Sequence, residues 1–107
     1  MAKIIIKKTI SLEFLGEDYK DGYLTFKTIP LKDYEQFVTQ SKKQDEAESI
    51  KLIVETLKKY FIEGKFPDGD KTVDLTVEDI EDFDVNTAIT VFKYLTGQEI
   101  DPKVQSS

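Results

Sequence analysis

Residues 45–64 read DEAESIKLIVETLKKYFIEG, and their apolar side chains recur in steps of three and four. The series consists of Ile50, Ile53, Val54, Leu57, Tyr60 and Phe61. Side chains with this spacing lie on one side of an α-helix, so the stretch predicts a core helix over residues 46–63. Asp45 with Glu48 three residues later is typical of a helix start, and Gly64 is typical of the left-handed position after a helix end.

Upstream of this helix, two runs of alternating apolar and polar residues predict strands. In residues 3–15 the apolar positions that share one face are Ile4, Ile6, Ile10, Leu12 and Phe14. Residues 23–29 alternate again after a turn-forming cluster at residues 16–22, which indicates an antiparallel β-hairpin. We interpret Lys8, which interrupts the apolar face, as an edge-strand charge that opposes unwanted pairing.

The remaining elements are predicted from helical spacing and from helix start signals. Pro30 ends the second strand, and a helix is expected over residues 31–40. Residues 65–70 are expected to form an irregular loop, and residues 72–75 an extended segment. Thr76 begins a short helix through a capping box with Asp79 in place of the usual Glu.

The last helix is predicted between Asp84, as its N-cap, and Gly97. Its expected buried residues are Ala88, Ile89, Phe92 and Leu95. The fold class is therefore α+β, with an N-terminal antiparallel β-hairpin packed against about four α-helices. Residues 1–97 are expected to form a single domain, and residues 98–107 a polar C-terminal tail.

Composition narrows the classes of function. The chain has 107 residues, enough for one domain, and 21 acidic residues against 15 basic ones, all of them lysine. A net charge of -6 without arginine argues against nucleic acid as a partner, because phosphate-backbone binding needs clustered basic side chains. No apolar run approaches the ~20 residues needed to cross a bilayer. We expect a soluble protein with no membrane association.

Residues suited to catalysis or cofactor binding are scarce. The chain has no His or Cys to activate a serine, and its glycines are scattered rather than grouped in a phosphate loop. A calcium loop beginning at Asp68 would require an acid, a glycine and a Glu where Thr72, Val73 and Asp79 stand. We therefore expect a protein that is not an enzyme and has no catalytic residue, cofactor or metal site.

Two groups of side chains are candidates for binding a partner protein. The first is apolar and aromatic, and consists of Tyr19, Leu31, Tyr34, Phe37, Val38 and Tyr94. The second is acidic: residues 68–84 carry eight acids against Lys71 alone, and its candidates are Asp79, Glu81 and Asp82. The alternative is that the first group fills the core and the second is a solvated surface at two helix starts.

Four segments spread along the chain carry a resemblance to a known family. They are KKTISLEFLG at residues 7–16, YLTFKTIPLKDYEQF at 23–37, LKKYF with GKFPDG at 57–69, and FKYLTGQEIDPK at 92–103. These segments resemble small proteins from the tail-gene clusters of phages and prophages of Gram-positive bacteria, and in particular the tail assembly chaperone family. Known members are mostly helical, so the β-hairpin is a departure from the family pattern.

The resemblance implies a transient, non-enzymatic role. Chaperones of this kind bind the tape measure protein, keep it soluble and pass it to the tail tube protein. They act in the host bacterial cytoplasm and are not expected in the mature virion. Many also exist in a longer, frameshifted form, and residues 98–107 are where such an extension would attach.

Other functions and assemblies stay open. One is a structural phage tail or head–tail connector component, which would form stable rings in virions. Another is an acidic inhibitor that binds a basic site on a host factor through Asp79, Glu81 and Asp82. The oligomeric state is also open, since pairing of the exposed first strand with that of a second copy would give a homodimer, and higher oligomers are an alternative.

Overall fold

The computed structural model describes residues 5–97, which form four β-strands, three α-helices and three 3₁₀ helices. The strands are β1 (Lys7–Ser11), β2 (Tyr23–Lys27), β3 (Phe61–Asp68) and β4 (Lys71–Asp74). The α-helices are α1 (Leu31–Ser41), α2 (Glu46–Tyr60) and α3 (Val85–Leu95). The 3₁₀ helices are Leu12–Leu15, Glu17–Tyr19 and Val77–Asp82. The predicted tail, residues 98–107, lies outside the described residues.

The predicted N-terminal hairpin is part of a larger sheet. All neighbouring strands are antiparallel and follow the order β1-β2-β3-β4, with Ile10 opposite Leu24 in the first hairpin. The first strand is shorter than predicted, because the chain turns into a 3₁₀ helix after Ser11. The Ser11 hydroxyl accepts a hydrogen bond from the Glu13 N–H at 3.1 Å, which caps that turn. The mixed α+β class is confirmed.

The prediction was wrong about the end of the central helix. α2 stops at Tyr60, and the residues expected to form its last turn and the following loop are strand β3 and its hairpin with β4. Phe61 and Ile62 are residues with a strong strand preference, and Phe61 lies opposite Phe26 of β2. Pairing with a distant strand therefore overrides the helical spacing that continues to Phe61.

Gly64 has a different role from the helix terminator that was predicted. It is buried in β3 opposite Leu24, and a Cβ there would lie 2.9 Å from Leu24 Cδ2 and 2.9 Å from the Tyr23 carbonyl oxygen. The absent side chain thus allows β2 and β3 to approach. The left-handed backbone is found instead at Gly69 in the β3–β4 turn, with φ 65°, and at Gly97 after α3, with φ 77°.

The core lies between one face of the sheet and the helices α2 and α3. Its buried members are Ile10, Leu12, Leu24, Phe26, Leu57, Tyr60, Ile80, Ala88, Val91, Phe92 and Leu95. The other face of the sheet is polar, and there the hydroxyl groups of Thr9 and Thr25 form a hydrogen bond of 3.0 Å. The alternation of apolar and polar residues in the sequence therefore corresponds to the core-facing and polar faces of the sheet.

The predicted helix starts are confirmed at three places. Asp45 accepts a hydrogen bond from the Glu48 N–H at 2.8 Å, and Asp79 accepts one from the Thr76 N–H at 2.7 Å. Asp84 caps α3, and hydrogen bonds from the Thr87 hydroxyl and N–H lower the pKa of its carboxyl group. The segment after Thr76 is a 3₁₀ helix, Val77–Asp82.

Replacing Gly64 by alanine tests the close approach of β2 and β3. The new methyl group would press on Leu24 and on backbone, so we expect Gly64→Ala to lower the free energy of unfolding by about 2 kcal/mol. Urea denaturation measures this change. Gly69→Asn is the matched control, since nothing lies within 4 Å of a Cβ at Gly69 and asparagine tolerates its backbone angle. Equal losses in both variants would contradict this account of Gly64.

Candidate protein-binding surfaces

Exposed aliphatic side chains cluster where β1 and α1 begin. Ile5 is 51% exposed, Ile6 58% and Leu31 73%. Together with Ile29 and Pro30, which follow β2, they form a surface that we call the apolar patch. Burying side chains of this size is worth about 1.5–3 kcal/mol each, so their exposure leaves a large contribution available to a partner.

Two depressions shape the apolar patch, and both include Thr28 and Ile29. The first has a volume of about 430 Å³ and is lined by Ile5, Ile6, Lys27, Thr28, Ile29, Pro30 and Tyr60. The second has a volume of about 340 Å³ and is lined by Lys8, Thr28, Ile29, Leu31, Tyr34, Leu95, Thr96 and Gly97. The surface is therefore concave on both sides of the segment that connects the sheet to α1.

Local backbone contacts fix the position of this segment. The Thr28 N–H donates to the Ile6 carbonyl at 2.7 Å, which extends the pairing beyond the end of β2. Pro30 then precedes the first turn of α1, and its carbonyl accepts a hydrogen bond from the Tyr34 N–H at 3.0 Å. This abrupt change from strand to helix leaves Leu31 at the start of the helix with its side chain toward solvent.

None of the residues of helix α1 is fully buried. The helix is held to the rest of the fold by a few contacts. Phe37 packs on Phe92 of α3, with ring centroids 4.6 Å apart. The Tyr60 hydroxyl donates a hydrogen bond to Asp33. Burial and this hydrogen bond raise the pKa of Tyr60 to about 12.

The predicted apolar candidates therefore fall in different places. Leu31 and Tyr34 line the same depression of the apolar patch, whereas Phe37 contacts the core and Val38 is half-buried. The groove between α1 and α2 has a volume of about 220 Å³ and a mixed lining. Its polar members include Asp33, Gln36, Gln40, Glu55, Thr56 and Lys59.

The other two tyrosines predicted as interface residues, Tyr19 and Tyr94, line different depressions. Tyr19 packs on Phe66, with ring centroids 5.4 Å apart, and lines a depression with Leu12, Leu15 and Phe83. Tyr94 packs on Phe14 at 5.8 Å and lines a depression beside β1. Both are half-buried, so each combines a packing role with an accessible edge.

Two of the three acidic candidates are already engaged within the chain. Asp79 caps its own 3₁₀ helix, and Glu81 forms an ion pair with Lys58 of α2. The hydrogen bond from Lys58 to Glu81 raises the pKa of the lysine. Asp82 is exposed. These local roles fit the interpretation of the acidic run as a solvated surface near a helix start.

Sequence reasoning missed Ile5, Ile6, Ile29 and Pro30 as surface residues. It assigned Ile6 to the buried face of the first strand, although that side chain is 58% exposed. The run of three apolar residues at 4–6 was a signal of this surface. A strand that is buried on one face needs an apolar residue at alternate positions only.

Comparison with known proteins gives no match: no protein-family model fits the sequence, and no curated protein or solved structure is significantly similar to the chain. Within residues 5–97, no group of three or more acidic side chains is arranged to hold a metal ion. None of the helices described is both long and apolar enough to span a bilayer.

The bond between Tyr60 and Asp33 is expected to anchor α1. Tyr60→Phe removes a hydrogen bond to a charged acceptor and should lower the free energy of unfolding by about 1–2 kcal/mol. Because folding raises the pKa of Tyr60, its contribution is complete below pH 10 and is lost as the pH rises toward 12. A spectrophotometric titration should show one tyrosine of the folded wild type ionising near pH 12, and that step should be missing in the variant. An unchanged titration would contradict the assignment.

Proposed function

We propose that this chain is a non-enzymatic protein-binding domain that acts as a phage tail assembly chaperone. In this role it holds an apolar segment of the tape measure protein through the apolar patch and keeps that protein soluble in the bacterial cytoplasm. The proposal joins a surface seen in the fold to a family resemblance carried by four segments of the sequence.

The single observation behind the binding function is the concentration of exposed aliphatic side chains. Of the five large hydrophobic side chains that are exposed in residues 5–97, three belong to the apolar patch. Ile5 and Ile6 line one depression and Leu31 lines the other, and the two depressions share Thr28 and Ile29. A groove that accepts the apolar face of an amphipathic helix is one of the recurring modes of peptide recognition.

The surroundings of the patch favour a particular kind of helix. Lys27 lines one depression and Lys8 the other. A helix that presents leucine or isoleucine to the patch and carries acidic side chains along its flank would satisfy both the apolar surface and the lysines. The resemblance implies a long helical partner, the tape measure protein, and we propose that it supplies such a segment.

The acidic-inhibitor alternative has weaker support. Its proposed contacts include Asp79 and Glu81. The Asp79 carboxylate already accepts a hydrogen bond from the Thr76 N–H, and Glu81 already forms an ion pair with Lys58. A basic partner would have to compete with those contacts.

Co-expression with the tape measure protein of the same phage tests the proposal. We expect the partner to be insoluble alone, soluble with this chain, and co-purified with it. Leu31→Asp and Ile6→Asp should abolish the rescue while changing the free energy of unfolding by no more than about 0.5 kcal/mol, since both side chains are exposed.

Val85→Asp is the matched control, because Val85 is 48% exposed but lies at the opposite end of α3 from the patch. Its rescue should equal that of the wild type. Equal loss of rescue in all three variants would show a general solubility effect. Unchanged rescue in the two patch variants would exclude the apolar patch as the binding surface.

A further inference from the structure

The two edges of the sheet differ in charge. The strands β1 and β2 contain three lysines, Lys7, Lys8 and Lys27, and no acid. None of these lysines forms an ion pair within residues 5–97. At the other edge, the end of β3, the β3–β4 turn and β4 carry Asp68, Asp70 and Asp74, against Lys71 alone. One edge of the sheet is therefore basic and the other acidic, in a chain whose net charge is -6.

Both edges are open within the described part of the chain. The four strands alternate in direction, so β1 and β4 run in opposite directions. A second copy placed beside the first in the same orientation brings its β4 antiparallel to β1. An even number of antiparallel strands thus lets the sheet continue from copy to copy without any copy turning over.

The backbone groups on the two free edges match. The Leu12 N–H donates to Gly22 and the Thr28 N–H to the Ile6 carbonyl, so alternation leaves Lys7 and Thr9 with outward N–H and C=O groups. At the other edge, the Leu75 N–H donates to the Gly64 carbonyl. By the same alternation, Thr72 and Asp74 of β4 face outward.

One register aligns these groups and the charges. Lys7 lies opposite Asp74 of the second copy, and Thr9 lies opposite Thr72. All four side chains belong to the polar face of the sheet, since Lys7 pairs with Lys27 within its own chain and Asp74 with Lys65. The pleat therefore continues across the junction.

The charges within a single copy favour this pairing. Lys7 is directly opposite Lys27, and like charges in that position are destabilising. Asp74 accepts a hydrogen bond from Lys65 at 2.8 Å and is largely exposed, so its carboxylate has room for a second lysine. Pairing of two β1 strands would instead bring two lysine clusters together, and pairing of two β4 strands would bring together two edges that each carry three acids and one lysine.

We propose that copies of this chain associate head to tail, with the basic edge strand β1 of one copy pairing antiparallel to β4, at the acidic edge of the next. An interface of this type leaves one free β1 and one free β4, so it closes into a ring or grows as a filament. The proposal goes beyond the binding function and rests on different observations, namely the charges and the outward backbone groups of the two sheet edges.

Two variants that each block one edge test the proposal. Lys7→Pro removes an outward N–H at the first residue of β1, and Thr72→Pro removes one from β4. Proline is tolerated at such edge positions. We expect the wild type to self-associate in light scattering at low ionic strength and to dissociate as salt is added. Each variant alone should be a monomer.

The decisive measurement mixes the two variants. Lys7→Pro retains an open β4 and Thr72→Pro an open β1, so the mixture should form a discrete one-to-one dimer. That dimer also shows that both variants are folded. A monomeric wild type would overturn the proposal, and so would a mixture that stays monomeric. If Thr72→Pro alone still forms dimers, pairing occurs between two β1 strands and the head-to-tail arrangement is wrong.

Discussion

The pairing of β2 with β3 is the contact on which the rest of the fold depends. It joins two hairpins, β1–β2 and β3–β4, into one sheet, and it holds together the two ends of the segment that contains α1 and α2. Leu24 and Phe26, both fully buried, lie at its centre. The pairing requires a glycine at position 64, because any side chain there would collide with Leu24 and with the backbone of Tyr23.

The elements that the sequence predicts well are those determined by neighbours in the chain. The three aspartates at helix starts bind backbone N–H groups three residues away, and the first hairpin pairs strands that follow each other in the chain. Gly97 also has the left-handed backbone expected after a helix. Local chemistry suffices for each of these features.

The elements that sequence reasoning missed are determined by distant residues. Phe61 continues the apolar series of α2, and only its position opposite Phe26 makes it the start of a strand. The same reason explains Ile6, whose place in an alternating series predicts burial although no helix covers it. Of the predicted binding residues, Leu31 and Tyr34 line one depression, whereas Ile5 and Ile6 line the other and come from the segment that precedes the first hairpin.

The order of the strands also has a consequence for the rate of folding. Thr9 and Thr25, which are bonded across the first hairpin, are 16 residues apart, and Lys65 and Asp74 in the second are 9 apart. Tyr23 and Glu63, which are bonded across the junction of the hairpins, are 40 apart. Closing that long loop costs more chain entropy than closing either hairpin, so we expect the meeting of the two hairpins to be the slower step in folding. A chain in which the hairpins form first would expose β2 and β3 as additional free edges, which the pairing of these two strands removes.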